Sequence, residues 1–361
     1  MVRASLSLTT ALLAPLLVAV AFAQSPQAVI LVTLDGARIE EVFGGLDREV
    51  LTSQLDDGQR IEDQSVYKRF WADTPEARRE KLMPFFWGTL MRNAGSIAGN
   101  PARDSRVHVS NGHWFSYPGY AEILLGRAHD DTINSNEAIR NPYPTVLEFL
   151  QQQAGLSKDQ AGAFASWEVF NQIVEHDEGA LTVSAGLEAG DSPDAGIRKL
   201  SALQFETPTP WDSVRHDAYT FRFAMDHLAR HRPRVLYLAF DETDDWAHDG
   251  RYERVLETYA RTDDYLKQLW TWLQAQPEYR DRTHMLITTD HGRGRTINDW
   301  TDHGKDVVGA SETWMAFVSP SMARRGEWSG GHAPIVTAQV AATLITWMGG
   351  DWKQFDANAA P

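Results

Sequence analysis

Three apolar runs, each ending in a carboxylate, restrict the fold of this chain more than any other feature of its sequence. The runs AVILVTL, RVLYLAF and THMLITT lead directly into Asp35, Asp241 and Asp290. Short runs of this kind, rich in β-branched residues, are typical of strands buried on both faces of a parallel sheet. Between them, residues 216–231 and 252–276 carry apolar side chains at helical spacing. Alternating strands and helices predict an α/β fold: a doubly wound, mostly parallel sheet with helices on both faces.

The remaining elements complete one domain, which we expect to span residues 24–361. Residues 167–213 contain scattered Gly, Pro and Asp and are predicted to form a loop-rich insertion in this domain. Further strands are predicted at 106–110, 161–166 and 312–319, and further helices at 75–95, 145–155 and 333–350.

The first 23 residues are typical of a secretory signal peptide. Arg3 gives a basic start, and the apolar run ALLAPLLVAVAFA ends in an Ala-x-Ala cleavage motif. The run is short for a membrane span, and no charged stop-transfer segment follows it. We therefore expect cleavage near Gln24, a periplasmic or secreted protein, and no stable membrane anchor.

Charge and cysteine content restrict the ligands of this chain. The 361 residues carry a formal net charge of −15 and no long basic run. Nucleic acids and anionic membrane surfaces attract clusters of Lys and Arg, so neither is expected as the main partner. The sequence contains no cysteine, which excludes a cysteine nucleophile and a thiolate-bound zinc ion. A small anionic substrate would need a local positive charge, such as a metal ion held by His, Asp or Glu.

Metal-ligating side chains follow the predicted strands. Because the carboxyl ends of parallel strands share one edge of a sheet, the groups that follow them are expected to meet there. The spacing of DDWAH places its first Asp, Asp244, and its His, His248, on one helix face. Two Thr-Asp-His-Gly motifs, at 289–292 and 301–304, supply further ligands. Carboxylates and imidazoles without thiolates suit a catalytic zinc site. The candidate ligands are Asp35, Asp244, His248, Asp290, His291 and His303.

A serine in the stretch HWFSYPGYAEILLGR is a second candidate for chemistry. Ser116 precedes Pro118 and Gly119, which are typical of a helix start, so by itself it is predicted to be a helix N-cap. The amino terminus of a helix also favours a bound phosphoryl anion. The residues around Ser116 are therefore compatible both with a cap and with a nucleophile.

The order of these motifs resembles that of the alkaline phosphatase superfamily. The likeness is nearest to the type I phosphodiesterase/nucleotide pyrophosphatase-like and phosphopentomutase-like metalloenzymes. SYPGYAEILLG is similar to the nucleophile motif TFPNHYSIVTG of the former, and TTDHGRGRTINDWTDHGKD is similar to a ligand segment of the latter. The second similarity favours His303 over His332 as the last ligand. The resemblance implies two divalent ions, with zinc favoured over manganese or magnesium. It places Asp35, Ser116, Asp290 and His291 on one ion and Asp244, His248 and His303 on the other.

The resemblance also implies a function. We expect an exported two-metal phosphohydrolase that cleaves small-molecule phosphate esters through a covalent phosphoserine at Ser116. Asn136, at the end of TINSN, is expected to contact a phosphoryl oxygen. The alternative is a phosphodiesterase or nucleotide pyrophosphatase rather than a monoesterase. A monoesterase often uses an additional cation, for which Arg127, Arg140 and Lys305 are candidates, and Asp241 is a candidate ligand of an auxiliary ion.

Two other functions remain alternatives. SYPGYAEILLGR matches the sulfatase motif C/S-x-P-x-R-x-x-x-L-x-G-R except that Tyr120 stands in place of the Arg. With no cysteine in the chain, a formylglycine would have to arise from Ser116. A non-catalytic binding protein on this fold is the second alternative, and the complete ligand set counts against it.

Overall fold

The computed structural model describes residues 28–190, 192–323 and 326–361. The predicted signal peptide lies outside these residues. Within the described ranges, none of the helices combines the length and the apolar character that a membrane span requires.

The strands of the described residues form one large sheet and one small one. In chain order they are β1 Ala28–Leu34, β2 Gly95–Ala98, β3 Val107–His108, β4 Ala161–Ala165, β5 Thr182–Ala185, β6 Val235–Phe240, β7 Thr283–Thr288, β8 Glu312–Thr313, β9 Met315–Val318, β10 Gly326–Glu327 and β11 Ile335–Val336. The large sheet has the order β10-β2-β9-β7-β1-β6-β4-β5, and the small one the order β11-β3-β8. Strands β7, β1, β6, β4 and β5 are mutually parallel, whereas β9 is antiparallel to both of its neighbours.

Helices cover the large sheet. The α-helices are α1 Ile39–Gly44, α2 Arg48–Ser53, α3 Ser65–Phe70, α4 Pro75–Leu82, α5 Ser116–Leu125, α6 Val146–Gln153, α7 Phe170–Ile173, α8 Ala195–Glu206, α9 Asp217–His231, α10 Glu242–His248, α11 Tyr252–Ala275 and α12 Gln339–Trp347. Short 3₁₀ turns lie at Ile61–Asp63, Pro101–Arg103, Lys158–Gln160 and Trp352–Gln354, and a π-helical segment at Phe86–Met91.

Alternating side chains of the central strands supply two separate cores. In β1, Ile30 and Val32 belong to the core on one face of the sheet, and Val29 and Leu31 to the core on the other. All seven residues of β1 are buried, as expected for a strand covered by helices on both faces. The predicted fold class, a doubly wound and mostly parallel α/β sheet, is confirmed.

The predicted helix at 75–95 is interrupted. Helix α4 ends at Leu82, and the π-helical segment begins at Phe86. Pro84 explains the break, since proline cannot donate the hydrogen bond that would continue a helix. The side chain of Asp263 accepts hydrogen bonds from the amides of Phe85 and Phe86 instead, at 2.9 and 2.6 Å.

Two predicted elements near the C-terminus are each divided into two pieces. The predicted strand 312–319 splits at Trp314, whose indole nitrogen donates to the carbonyl oxygen of Ala37 at 3.0 Å. The predicted helix 333–350 begins only at Gln339, because Ile335 and Val336 pair with β3. Periodicity alone does not separate these pieces, because each strand is only two to four residues long.

The segment 167–213 contributes regular structure as well as loops. Strand β5 forms an edge of the large sheet, and helices α7 and α8 flank it in the chain. Residues of this segment also reach the cleft described below.

Candidate active site

The register of three adjacent strands brings three carboxylates to one edge of the sheet. Thr33 pairs with Thr288, and Leu34 pairs with Phe240. Because these strands are parallel and in register, the residues that follow them occupy neighbouring positions. The carboxylates placed side by side in this way are Asp290, Asp35 and Asp241. The predicted convergence of the strand ends is thus built into the pairing of β7, β1 and β6.

Asp35, Asp290 and His291 form a buried group that we call the inner cluster. Each offers a ligand atom, and these atoms lie within 4.8 Å of one another. The Nε2 atom of His291 is 3.3 Å from Oδ1 of Asp35 and 3.4 Å from Oδ2 of Asp290. Both carboxylate oxygens are buried and lack a hydrogen-bond partner. Buried carboxylate oxygens without a donor are costly, so this geometry fits a shared cation.

Proton binding in the inner cluster reflects its concentration of negative charge. Burial, reinforced by the charge of Asp35, raises the pKa of Asp290 to about 8. Burial opposes protonation of His291, but the charges of Asp290 and Asp35 outweigh it and raise the pKa of His291 to about 9. Without a metal ion, protons therefore compensate the excess of negative charge.

Asp244, His248 and His303 form a second group, the outer cluster, whose ligand atoms also lie within 4.8 Å of one another. Asp244 and His248 project from α10, and His303 comes from the loop between β7 and β8. The Nε2 atom of His248 is 3.1 Å from Oδ2 of Asp244 and 3.0 Å from Nε2 of His303. Two facing imidazole nitrogens of this kind suit ligation of one cation. The side chain of His248 is 45% exposed, whereas that of His291 is fully buried.

The outer histidines are poor bases. Burial, followed by the charge of His291, lowers the pKa of both His248 and His303. Each ring is thus available as a neutral ligand.

A buried arginine holds the carboxylate of the outer cluster. The guanidinium of Arg293 donates to Oδ1 of Asp244 and, through Nε, to the carbonyl oxygen of Trp300 at 3.1 Å. Burial lowers the pKa of Arg293 to about 9.

Ser116 lies beside the inner cluster. Its Oγ atom is 3.4 Å from Nε2 of His291, and the residue is 6% exposed. Ser116 is the first residue of α5, whereas Phe115 occupies the N-cap position and makes no side-chain capping hydrogen bond. The prediction that Ser116 caps this helix is therefore wrong, because its hydroxyl approaches the ligand cluster rather than a backbone amide.

The clusters open into one cleft of about 210 Å³. Asn136 lines it, and Oδ1 of Asn136 accepts a hydrogen bond of 2.9 Å from the amide of Tyr117, next to the candidate nucleophile. The lining residues are Asp35, Ser116, Asn136, Trp167, Trp211, Ser213, Val214, Asp241, Asp244, Asp245, His248 and His303.

Tyr120 is a site residue that the sequence pattern did not predict. Its hydroxyl is fully buried and donates to Oδ2 of Asp35 at 2.8 Å, which orients that carboxylate. Its position four residues after Ser116 is the available signal, since residues at this spacing share one helix face. Thr243 also contacts this strand end and donates to the carbonyl oxygen of Asp35 at 2.5 Å.

Gly36 leaves room for the outer cluster. Its φ angle is +55°, and a Cβ atom there would lie 2.2 Å from Oδ1 of Asp244. Only glycine is accommodated without strain at this position.

Other candidates from the sequence have partners elsewhere. His332 contacts Oγ of Ser105 at 3.1 Å, and the clusters found among the described residues do not include it. Arg127 binds Asp356 at 2.6 Å, and Arg140 donates to the carbonyl oxygen of Glu175 at 3.2 Å.

Asp241, by contrast, lines the cleft, where burial and the neighbouring Asp245 raise its pKa.

Comparison with solved structures identifies this architecture. A phosphonate monoester hydrolase from Silicibacter pomeroyi has a TM-score of 0.52 at 12% identity, over 93% of this chain and 77% of its own. The phosphonate monoester hydrolase of Agrobacterium radiobacter gives 0.53 at 12%, over 93% and 78%. A 2-O GAG sulfatase gives 0.50 at 12%, over 91% and 71%. At this identity the likeness establishes the fold.

Fold, ligand clusters and motif order together define a hydrolase of the alkaline phosphatase superfamily. The family model for type I phosphodiesterase / nucleotide pyrophosphatase matches residues 49–344. The chain therefore belongs to this family, and it is a metal-dependent phosphoric ester hydrolase. A search of curated proteins finds no match.

Proposed function

We propose that this protein is an exported phosphodiesterase that acts on small-molecule phosphodiesters, with Ser116 as its nucleophile. The observation that carries the proposal is the position of Ser116. Its hydroxyl lies at a helix amino terminus, 3.4 Å from a histidine of the inner cluster and in the same cleft as the outer cluster. Export is supported by the signal-like residues 1–23.

The two clusters are suited to divalent cations, for which we propose zinc. Asp35, Asp290 and His291 would hold one ion together with the Ser116 oxygen. Asp244, His248 and His303 would hold the other. When bound, such ions lower the pKa of a ligating hydroxyl and neutralise charge on the phosphoryl group. The donor set of carboxylates and imidazoles without thiolates agrees with this assignment.

The reaction proceeds in two displacements. The oxygen of Ser116 attacks phosphorus, a bond forms between them, and the bond from phosphorus to the leaving oxygen breaks. The serine proton passes to solvent water, and the leaving group takes up a proton from solvent and departs as an alcohol. Water then cleaves the phosphoserine, restores the hydroxyl of Ser116 and releases a phosphate monoester. Positioning of the reacting groups supplies most of the catalysis in such a transfer.

Two protein groups stabilise the phosphoryl oxygens in this proposal. The amino terminus of α5 directs its positive dipole end towards the phosphoryl group. Asn136, whose Oδ1 is anchored by the amide of Tyr117, donates from its amide nitrogen.

The lining of the cleft supports a diester rather than a monoester. Among the described residues, no lysine or arginine lines it, so the protein itself supplies no cation for the second charge of a monoester. Trp167, Trp211 and Val214 provide apolar surface for the leaving group. A singly charged diester with an apolar substituent suits this lining.

Three model substrates test the proposal, with and without chelator: bis-nitrophenyl phosphate, nitrophenyl phosphate and nitrophenyl sulfate. We expect bis-nitrophenyl phosphate to be hydrolysed fastest, and chelator to abolish the activity. Ser116→Ala should lose about 10³-fold or more in rate, whereas Ser135→Ala, on a neighbouring loop, should retain it. Full activity of Ser116→Ala would exclude Ser116 as nucleophile. Faster hydrolysis of the sulfate ester would indicate a sulfatase, and fewer than two bound metal ions per chain would contradict the two-metal assignment.

A further inference from the structure

Helices α9 and α10 begin without a cap from their own N-cap side chains. His216 precedes α9 and Asp241 precedes α10, and neither side chain bonds to an amide of its own helix. An uncapped helix start leaves backbone amides without partners. The missing acceptors come from the opposite helix.

The first residue of each helix accepts hydrogen bonds from the start of the other. Asp217, the first residue of α9, accepts from the amides of Asp241 at 2.9 Å and Glu242 at 3.4 Å. Glu242, the first residue of α10, accepts from the amide of Asp217 at 3.1 Å. The two carboxylates thus form a reciprocal cap between the helices.

We propose that Asp217 and Glu242 are positioning residues that hold α10 in the orientation in which Asp244 and His248 bind a divalent cation. This inference rests on the proposed function, because it assumes that the outer cluster holds a metal ion. Asp244 lies two residues after Glu242, and His248 lies six residues after it, so the start of α10 determines where both ligands point.

The length of α10 makes such support necessary. The helix has seven residues, and helices this short are unstable in water without tertiary contacts. One side of the outer cluster is open, since His248 is exposed. Packing around His248 therefore does little to fix the helix, and the buried start of the helix supplies additional support.

The two carboxylates connect α10 to several rigid elements. The hydroxyl of Ser166, directly after β4, donates to Asp217 at 2.6 Å. Glu242 accepts from Nδ1 of His216 at 2.9 Å and from the guanidinium of Arg261 on α11. Asp217 and Glu242 are 1% and 3% exposed, respectively. Two adjacent buried carboxylates are costly unless their hydrogen bonds are satisfied. Here the donors lie in or directly beside β4, α9, α10 and α11.

Cobalt(II) titration of the metal-free protein tests the inference, because ligand-field absorption reports each site without an activity assay. The unsubstituted protein should bind two ions, and His303→Asn shows which titration step belongs to the outer cluster. In Asp217→Ala we expect the outer step to weaken about 10–100-fold, the usual effect of losing a group that supports a ligand. The inner step should be unchanged. Asp217→Asn, which keeps one acceptor oxygen, should lie between.

Asp263→Ala is the matched control. Asp263 is also a buried aspartate that accepts from two amides at a helical start, but it lies outside the cleft lining. It should lower the melting temperature and leave both cobalt affinities unchanged. Unchanged affinity of the outer site in Asp217→Ala, or equal weakening of both sites, would overturn the inference. If the alanine variant does not fold, the asparagine variant decides by the same criterion. Fewer than two cobalt ions on the unsubstituted protein would instead overturn the proposed function.

Discussion

The inner and outer clusters present similar ligands but are built in different ways. The inner cluster follows two neighbouring strands whose register places Asp35 beside Asp290. The outer cluster joins a seven-residue helix to His303, which lies in a loop. The inner His291 is fully buried, whereas the side chain of the outer His248 is 45% exposed.

The difference shows two ways of positioning metal ligands. Backbone pairing within the sheet fixes the inner ligands, so their geometry follows from the core itself. The outer ligands depend on side-chain hydrogen bonds, such as those that Asp217 and Glu242 make at the start of α10. We therefore expect the inner cluster to be rigid and intolerant of change, and the outer cluster to respond to substitutions at its supports.

Removing one metal ligand from either cluster should change the hydrolysis rate or the metal affinity more than any other substitution discussed below. Asp290→Asn removes a buried negative charge and should lower the hydrolysis rate about 10³-fold or more, since a bound ion contributes several kcal/mol. His303→Asn removes a neutral ligand and should weaken binding of one ion about 100-fold. Metal content and steady-state rates measure both. If His303→Asn lost both ions while Asp290→Asn retained two, the outer cluster rather than the inner one would be the more intolerant of change.

A methyl group beside the inner cluster tests its rigidity. A Cβ atom at Gly119 would lie 2.5 Å from the backbone oxygen of Asp290. Gly119→Ala should therefore lower the free energy of unfolding by about 1–3 kcal/mol, the usual cost of overpacking. Gly88→Ala is the control, since nothing lies within 4 Å of a Cβ atom there. Equal unfolding midpoints in urea for the two variants would show that the inner edge can relax.

The smallest expected effect is a difference between the two clusters in how metal affinity changes with pH. Burial and Asp35 raise the pKa of Asp290 to about 8, and the neighbouring carboxylates raise that of His291 to about 9 against the effect of burial. A metal ion must displace these protons, so affinity at the inner cluster should rise from pH 7 to pH 9. Burial lowers the pKa of the outer histidines, so affinity there should be flat over this range.

Calorimetric titrations in two buffers of different ionisation enthalpy count the released protons. The number of protons released on metal binding should be unchanged in His303→Asn and lower in Asp290→Asn. The opposite result would assign the titrating groups to the outer cluster.

The candidate site was largely predictable because most of its residues follow strands or share a helix turn. Asp35 and Asp290 follow strongly apolar runs, and the spacing of Asp244 and His248 places them on one helix face. Tyr120 and Asp217 were not predicted as site residues. Their roles depend on hydrogen bonds to Asp35, 85 residues away, and to the start of another helix. Hydrogen bonds between side chains distant in the chain leave no periodic signal.

The sequence by itself determined the fold class, the ligand types and the strand ends that carry them, because these follow from local apolar patterns and from spacing along the chain. Tertiary structure alone decided the rest. It buried the inner ligand cluster and left the outer one partly open to solvent. It also turned the hydroxyl of Ser116 from the predicted cap towards His291. The physical reason is that strand register and reciprocal capping join residues far apart in the chain, and only the packed molecule establishes which of them meet.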